Sequence, residues 1–194
     1  MHNNENKSHK KNHQNGKVAF LDSPERRLEF SPEKLLSMSP IRETDNVLDL
    51  GAGTGYFTIP LANKVNGTVY ALDIDRSMLE IINSKAVQEH ISNIVPIHGK
   101  IDDFPLPDET VDVVLASLVL HEITPLNDTL NKIHQVLKEG GHLICVELEP
   151  KGDSTHKAPR ISLAGMEQEI TEAGLQITQK FFPTESLYVL IAQK

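Results

Sequence analysis

The chain has 194 residues, 39% of them hydrophobic, with one cysteine and a formal net charge of −8. That length suits one domain with a sizeable core, the lone cysteine excludes an intrachain disulfide or a multi-cysteine zinc site, and the acidic balance opposes general nucleic-acid binding. No apolar run approaches the roughly 20 residues that span a bilayer, and the N-terminus lacks a signal peptide's apolar stretch, so a cytoplasmic protein bound to neither membrane nor nucleic acid is expected.

In chain order, residues 1–17 form a polar tail whose one basic cluster runs from Lys7 to Lys17. Its composition cannot bury enough apolar surface to fold, so it is expected to be disordered. His2, His9 and His13 are either metal ligands or solvated side chains. A flexible tail has no preorganised ligand geometry, and no metal site is predicted. Ordered structure is expected over 18–194, with 18–45 an N-terminal helical lid or cap segment. Within it, Phe20 to Phe30 is amphipathic, and Ser31-Pro32 reads as an N-cap and first helical residue.

From Asn46 onward, strand-like and helical runs alternate. Val47 to Leu50 reads as a buried strand, Gly51 to Gly55 as a tight loop, and Phe57, Leu61 and Val65 as a helix face. Thr68 to Leu72 is a second strand. Asp75 caps a helix carrying Met78, Leu79, Ile82 and Ala86, and Ile94 to Ile97 is a third strand. A proline-bearing loop from Gly99 to about Glu109 precedes a fourth strand, Val111 to Ala116. Leu126, Leu130, Ile133 and Leu137 recur at helical spacing, with Gly140-Gly141 as the expected C-terminal cap. His142 to Leu148 is a fifth strand, and Glu167 to Ala173 ends a helix at Gly174. Leu175 to Phe182 and Leu187 to Ala192 are too closely joined for a parallel crossover and predict an antiparallel hairpin. The alternation implies an α/β fold, a mostly parallel sheet with helices on both faces.

The most informative stretch is Val47-Leu48-Asp49-Leu50-Gly51-Ala52-Gly53-Thr54-Gly55. Glycines after a strand let the backbone turn sharply and approach a ligand. Dinucleotide enzymes use G-x-G-x-x-G at this place, but here the spacing is G-x-G-x-G, and Tyr56 holds the position of their third glycine. Asp49, just before the loop, would repel a pyrophosphate. It suits a phosphate-free ligand carrying an ammonium and a sulfonium. Asp73 ends the second strand, where an acid can accept hydrogen bonds from two ribose hydroxyls. The alternative is a strand-end turn residue.

These residues resemble motif I and the second-motif acid of class I S-adenosylmethionine-dependent methyltransferases. The run from Gly99 to Asp112 is similar to that of the small-molecule methyltransferases (type 11) related to ubiquinone and menaquinone biosynthesis enzymes. The resemblance implies a Rossmann-like seven-stranded sheet of order 3-2-1-4-5-7-6 with strand 7 antiparallel. It also implies S-adenosylmethionine as donor, S-adenosylhomocysteine as product and a small-molecule acceptor. Asp49 and the backbone of Gly51, Ala52, Gly53 and Gly55 would hold the methionine moiety, with Tyr56 beside them. Asp73 would hold the ribose, Ile74 and Met78 would pack on the adenine, and Ile101 and Asp102 would border its edge. Lys100 stands where the family usually has an acid, leaving Asp102 as the substitute partner of the adenine amino group. The segment from Ala116 to Ile123 would border both cofactor and acceptor.

In that segment His121 is the candidate base or acceptor-orienting group, the alternative being a histidine that pins the following loop. Arg26 or Arg27 is either near the methionine carboxylate or solvated. Glu147 and Glu149 face either the acceptor or solvent at the sheet edge. Cys145, in an apolar strand, reads as a small buried hydrophobe. Two rival functions share parts of this pattern: a nicotinamide-dependent oxidoreductase, opposed by Tyr56 and Asp49, and a cofactor-binding module without catalysis. Neither the acceptor nor the oligomeric state is encoded legibly.

Overall fold

The structure is a computed structural model that describes residues 30–150 and 159–194. The expected tail over 1–17, residues 18–29 of the 18–45 segment, and with them Arg26, Arg27, His2, His9 and His13, lie outside the described residues. Helix α1 (Pro32–Met38) begins as its sequence dictates: Ser31 caps it, accepting from the Lys34 N–H at 3.2 Å, and Pro32 fills the first turn. Strand β1 (Val47–Leu50) leads through the glycine loop to α2 (Thr58–Lys64). Strand β2 (Val69–Asp73), helix α3 (Arg76–Gln88) and β3 (Ile94–His98) follow. Asp75 caps α3 by accepting from the Ser77 N–H at 2.9 Å. Then come β4 (Val111–Ser117), a single 3₁₀ turn (Leu120–Glu122), α4 (Leu126–Val136) and β5 (Leu137–Leu148). Helix α5 (Leu163–Glu172) and the hairpin β6 (Gln176–Thr184) and β7 (Leu187–Gln193) close the fold.

The seven strands form one sheet in the order β3-β2-β1-β4-β5-β7-β6. β1 through β5 pair in parallel, while β7 runs antiparallel to both neighbours, β5 and β6. Successive side chains leave a strand on opposite faces, and the residues of the central strands divide between two core clusters accordingly. Leu48, Leu50, Val114, Ala116, Leu143 and Cys145 pack with α4 and α5 residues such as Leu130, Ile133, Met166 and Ile170. Val47, Val69, Val113, Leu115, Ile144 and Val146 pack on the other face with Leu35, Leu36 of α1 and Leu61 of α2. A smaller cluster joins Ala71 to Leu79 and Ile82 of α3.

One expectation fails. Gly140-Gly141 does not cap α4, which ends at Val136; both glycines lie inside β5. There the register against β4 shifts between the Val111↔Leu137 and Val113↔His142 pairs, and the glycines occupy the resulting bulge. A Cβ on Gly141 would stand 2.8 Å from the Lys138 carbonyl oxygen and 2.9 Å from that of Asp112. Close backbone approach, rather than helix termination, is what requires glycine here. Among the described residues no helix is long and apolar enough to cross a membrane.

Candidate functional site

The strand order reverses beside β1, and open parallel sheets bind ligands at such a point, beyond the carboxyl ends of the strands. A cavity of about 650 Å³ lies there, lined by the glycine loop, the ends of β1, β2 and β4, and the loop after β3. Of the residues singled out in the sequence, Asp49, Gly51, Ala52, Gly53, Tyr56, Asp73, Ile74, Ile101, Asp102 and His121 border it. Gly55, Met78 and Ala116 do not. Met78 is fully enclosed, leaving Ile74, which is 65% exposed, as the apolar side chain on that side. A Cβ on Gly55 would lie 3.0 Å from Ile82, so this glycine packs the loop against α3. Ala116 belongs to the core on the α4 and α5 face. Lys100 also borders the cavity, alongside Asp102.

The acids are held in defined ways. Asp73 accepts from the Gly53 N–H through Oδ2 and from the Asp75 N–H through Oδ1, both at 2.8 Å. It ties the glycine loop to the end of β2. A carboxylate offers about four acceptor sites, so two remain for a ligand's hydroxyls. Asp49 leaves β1 on the α2 side and accepts from the Thr58 hydroxyl at 2.5 Å. It is buried yet at the cavity wall, a negative charge with little water around it. Gly51 has a positive φ of 75°, and a Cβ there would lie 2.7 Å from Val119 Cγ2. Any side chain would push loop and wall apart.

The other end of the cavity is formed by Ser117 to Thr124 together with Tyr56, Phe57 and Leu148. Its central polar pair was only half visible in the sequence. His121 Nδ1 lies 2.7 Å from Oε2 of Glu147, a β5 residue that is 1% exposed. The other carboxylate oxygen, Oε1, accepts from the backbone N–H groups of Val119, Leu120 and His121 at 3.1, 2.9 and 3.3 Å. Glu147 is therefore interior, not an edge residue facing solvent. The available signal was an acid interrupting the apolar run Leu143 to Leu148. Its hydrogen bond raises the His121 pKa above the ordinary 6.5; burial opposes this, the Glu147 and Glu122 charges add to it, and Arg160 subtracts. Glu149 instead accepts from the Leu163 N–H at 2.8 Å, at the start of α5. Burial pushes the Cys145 thiol up, keeping it protonated and unreactive. No cluster of metal-binding side chains occurs among the described residues.

Residues 48–145 match the family described as "Methyltransferase domain". The chain belongs to that family. Among curated methyltransferases, it is 31% identical over 124 residues to a demethylmenaquinone methyltransferase of Geobacillus sp. (strain WCH70), covering 63% of this chain and 53% of that one. It is 36% identical over 110 residues to the enzyme of that name from Alkalihalophilus pseudofirmus, covering 55% and 46%. The chain thus spans about half the length of these relatives. A solved S-adenosylmethionine-dependent methyltransferase from Aquifex aeolicus superposes with a TM-score of 0.83 at 25% identity, over 92% of this chain and 97% of that one. The [4+2]-cyclase SpnF shares the methyltransferase fold at a TM-score of 0.75 and 17% identity, over 86% and 81%.

This family and fold imply S-adenosylmethionine as the cofactor, and the residues present fit it. The acid at Asp49 suits a cationic amino acid moiety, the side-chain-free turn at Gly51 admits close approach, and Asp73 retains acceptor sites for a ribose. No phosphate is called for, and Asp49 would repel one.

Proposed function

We propose that the protein transfers a methyl group from S-adenosylmethionine to a small-molecule acceptor met in the cytoplasm. The observation that carries this reading is the pairing of Asp73 with the glycine loop. The acid is fixed by two backbone N–H groups at the end of β2, directly beside a turn that no side chain obstructs. When bound, the cofactor supplies a methyl group activated on a sulfonium. The chain's own task is then to hold donor and acceptor in line, which by itself lowers the barrier substantially. Asp49 and residues 51–53 would hold the methionine end, Asp73 the ribose, and Ile74, Ile101 and Asp102 the base. The Ser117 to Thr124 wall with His121 would receive the acceptor.

Since a cyclase shares the fold, fold alone does not fix the reaction, and the assignment rests on this site. Support for a small acceptor comes from the cavity of about 650 Å³ and from the net charge of −8, which disfavours a polyanionic substrate. The test compares ligands by thermal shift and calorimetry, then follows labelled donor against a metabolite panel. S-adenosylhomocysteine should stabilise the fold and NAD(H) should not. The opposite pattern would overturn the reading.

A further inference from the structure

We infer that Glu147 is a positioning residue that holds His121 with its Nε2 as a proton acceptor toward the acceptor end of the cavity, so that the methyl acceptor enters with a proton on its nucleophilic atom. This deepens the methyltransferase reading and rests on it. The geometry is specific. Glu147 is enclosed in β5, and one of its oxygens gathers three successive N–H groups of the turn that carries His121. The other oxygen lies 2.7 Å from Nδ1. An ionised carboxylate only accepts, so Nδ1 must carry the hydrogen, and in neutral imidazole the lone pair is then on Nε2. Turn and ring are thus set by the same buried group.

The step balances simply. The acceptor's nucleophilic atom forms a bond to the methyl carbon as the carbon–sulfur bond breaks and its electron pair returns to sulfur. The acceptor's proton passes to Nε2, and the imidazolium formed is paired with the Glu147 carboxylate. The groups facing His121 agree with this: Glu147 from β5 and Glu122 from its own turn favour the cation, while Arg160, ahead of α5, opposes it. The acceptor class that follows is a protic nucleophile, such as an acidic hydroxyl, thiol or carbon acid. A donor atom that is already unprotonated would have no use for the pair.

The test is Glu147→Gln, observed in the full chain by ¹⁵N NMR of labelled histidine with S-adenosylhomocysteine present. The glutamine carbonyl can still accept from the three N–H groups, but its NH₂ faces Nδ1 and demands a lone pair there. In the wild type, neutral His121 should show its hydrogen on Nδ1, and the ring should titrate above the ordinary histidine value. In the variant the hydrogen should move to Nε2 and the titration midpoint should fall. S-adenosylhomocysteine affinity should stay within about twofold, whereas turnover of the acceptor found by the panel should drop at least about a hundredfold, the lower end for general-base catalysis. A neutral wild-type ring with its hydrogen on Nε2 rather than Nδ1, or a variant with unchanged tautomer and titration, or unchanged turnover, would overturn the proposal. Failure of S-adenosylhomocysteine to bind the wild type would instead overturn the methyltransferase reading itself.

Discussion

Asp73 does two things with one carboxylate, and substitution separates them. Its oxygens each accept a backbone N–H, fixing the loop at Gly53 and the start of α3 at Asp75, and their remaining acceptor sites are those proposed for the ribose. Asp73→Ala removes both, so S-adenosylhomocysteine affinity should fall by about one to two orders of magnitude, the loss of one or two charge-assisted bonds. Asp73→Asn keeps one carbonyl acceptor and should fall between alanine and wild type. Calorimetry reads the series directly, and an alanine variant that binds as tightly as wild type would remove Asp73 from the site. The place of Asp73 at the cavity was legible because an acid at a strand end beyond a glycine loop falls where open parallel sheets bind ligands. Met78, given to the adenine by the resemblance alone, is instead fully enclosed, as its place in the apolar stripe of α3 implied. Glu147 was half legible: its residue type in an apolar strand was conspicuous, but its partners come from another strand's loop and only the folded chain brings them together.

At the scale of elements, the bulge in β5 is where local pattern and tertiary context disagree. A glycine pair after a helical apolar stripe reads as a cap, yet pairing with β4 draws Leu137 onward into the sheet. The two readings differ in which glycine matters. A Cβ on Gly140, at φ 75°, would meet only the Gln193 side chain, at 3.7 Å, so Gly140→Ala should cost the roughly 1–2 kcal/mol of a left-handed residue. Gly141→Ala drives a Cβ against two carbonyl oxygens and should cost about 1–3 kcal/mol or more by overpacking, although its φ is ordinary. Denaturant unfolding of both variants checks this, and a larger loss at Gly140 than at Gly141 would favour a cap over a bulge. Helices α1, α3 and α5 were legible because each carried its own punctuation: Ser31-Pro32, Asp75, and Gly174 after α5 are side-chain or backbone devices that act within a few residues. The bulge was not, since its cause lies in the Asp112 and Lys138 carbonyls rather than in the glycines' neighbours alone.

For the whole molecule, two histidines on or against the same strand impose opposite dependences on pH. Glu147 raises the His121 pKa, so the folded state binds that proton more tightly than the unfolded chain. Its contribution to stability is complete below about 6.5, the unfolded value, and is lost as pH rises through the folded value. His142 is lowered, first by burial and then by Arg42, with Asp45 opposing. Its contribution is complete above about 6.5 and is lost as pH falls through the depressed value. Together they place a stability maximum near neutrality, with a separate residue responsible for each flank. Denaturation at a series of pH values should show the alkaline-side decline flattening in His121→Gln and the acid-side decline flattening in His142→Gln. Should both variants track the wild type on both sides, the Glu147 contact is not populated in solution, and the reading of His121 as an oriented base loses its foundation. The alkaline flank also sets the working state of the site, because only after His121 has lost its proton does Nε2 have a lone pair to offer. The protein is then expected to act on the side of its stability curve where this pair contributes least to the fold.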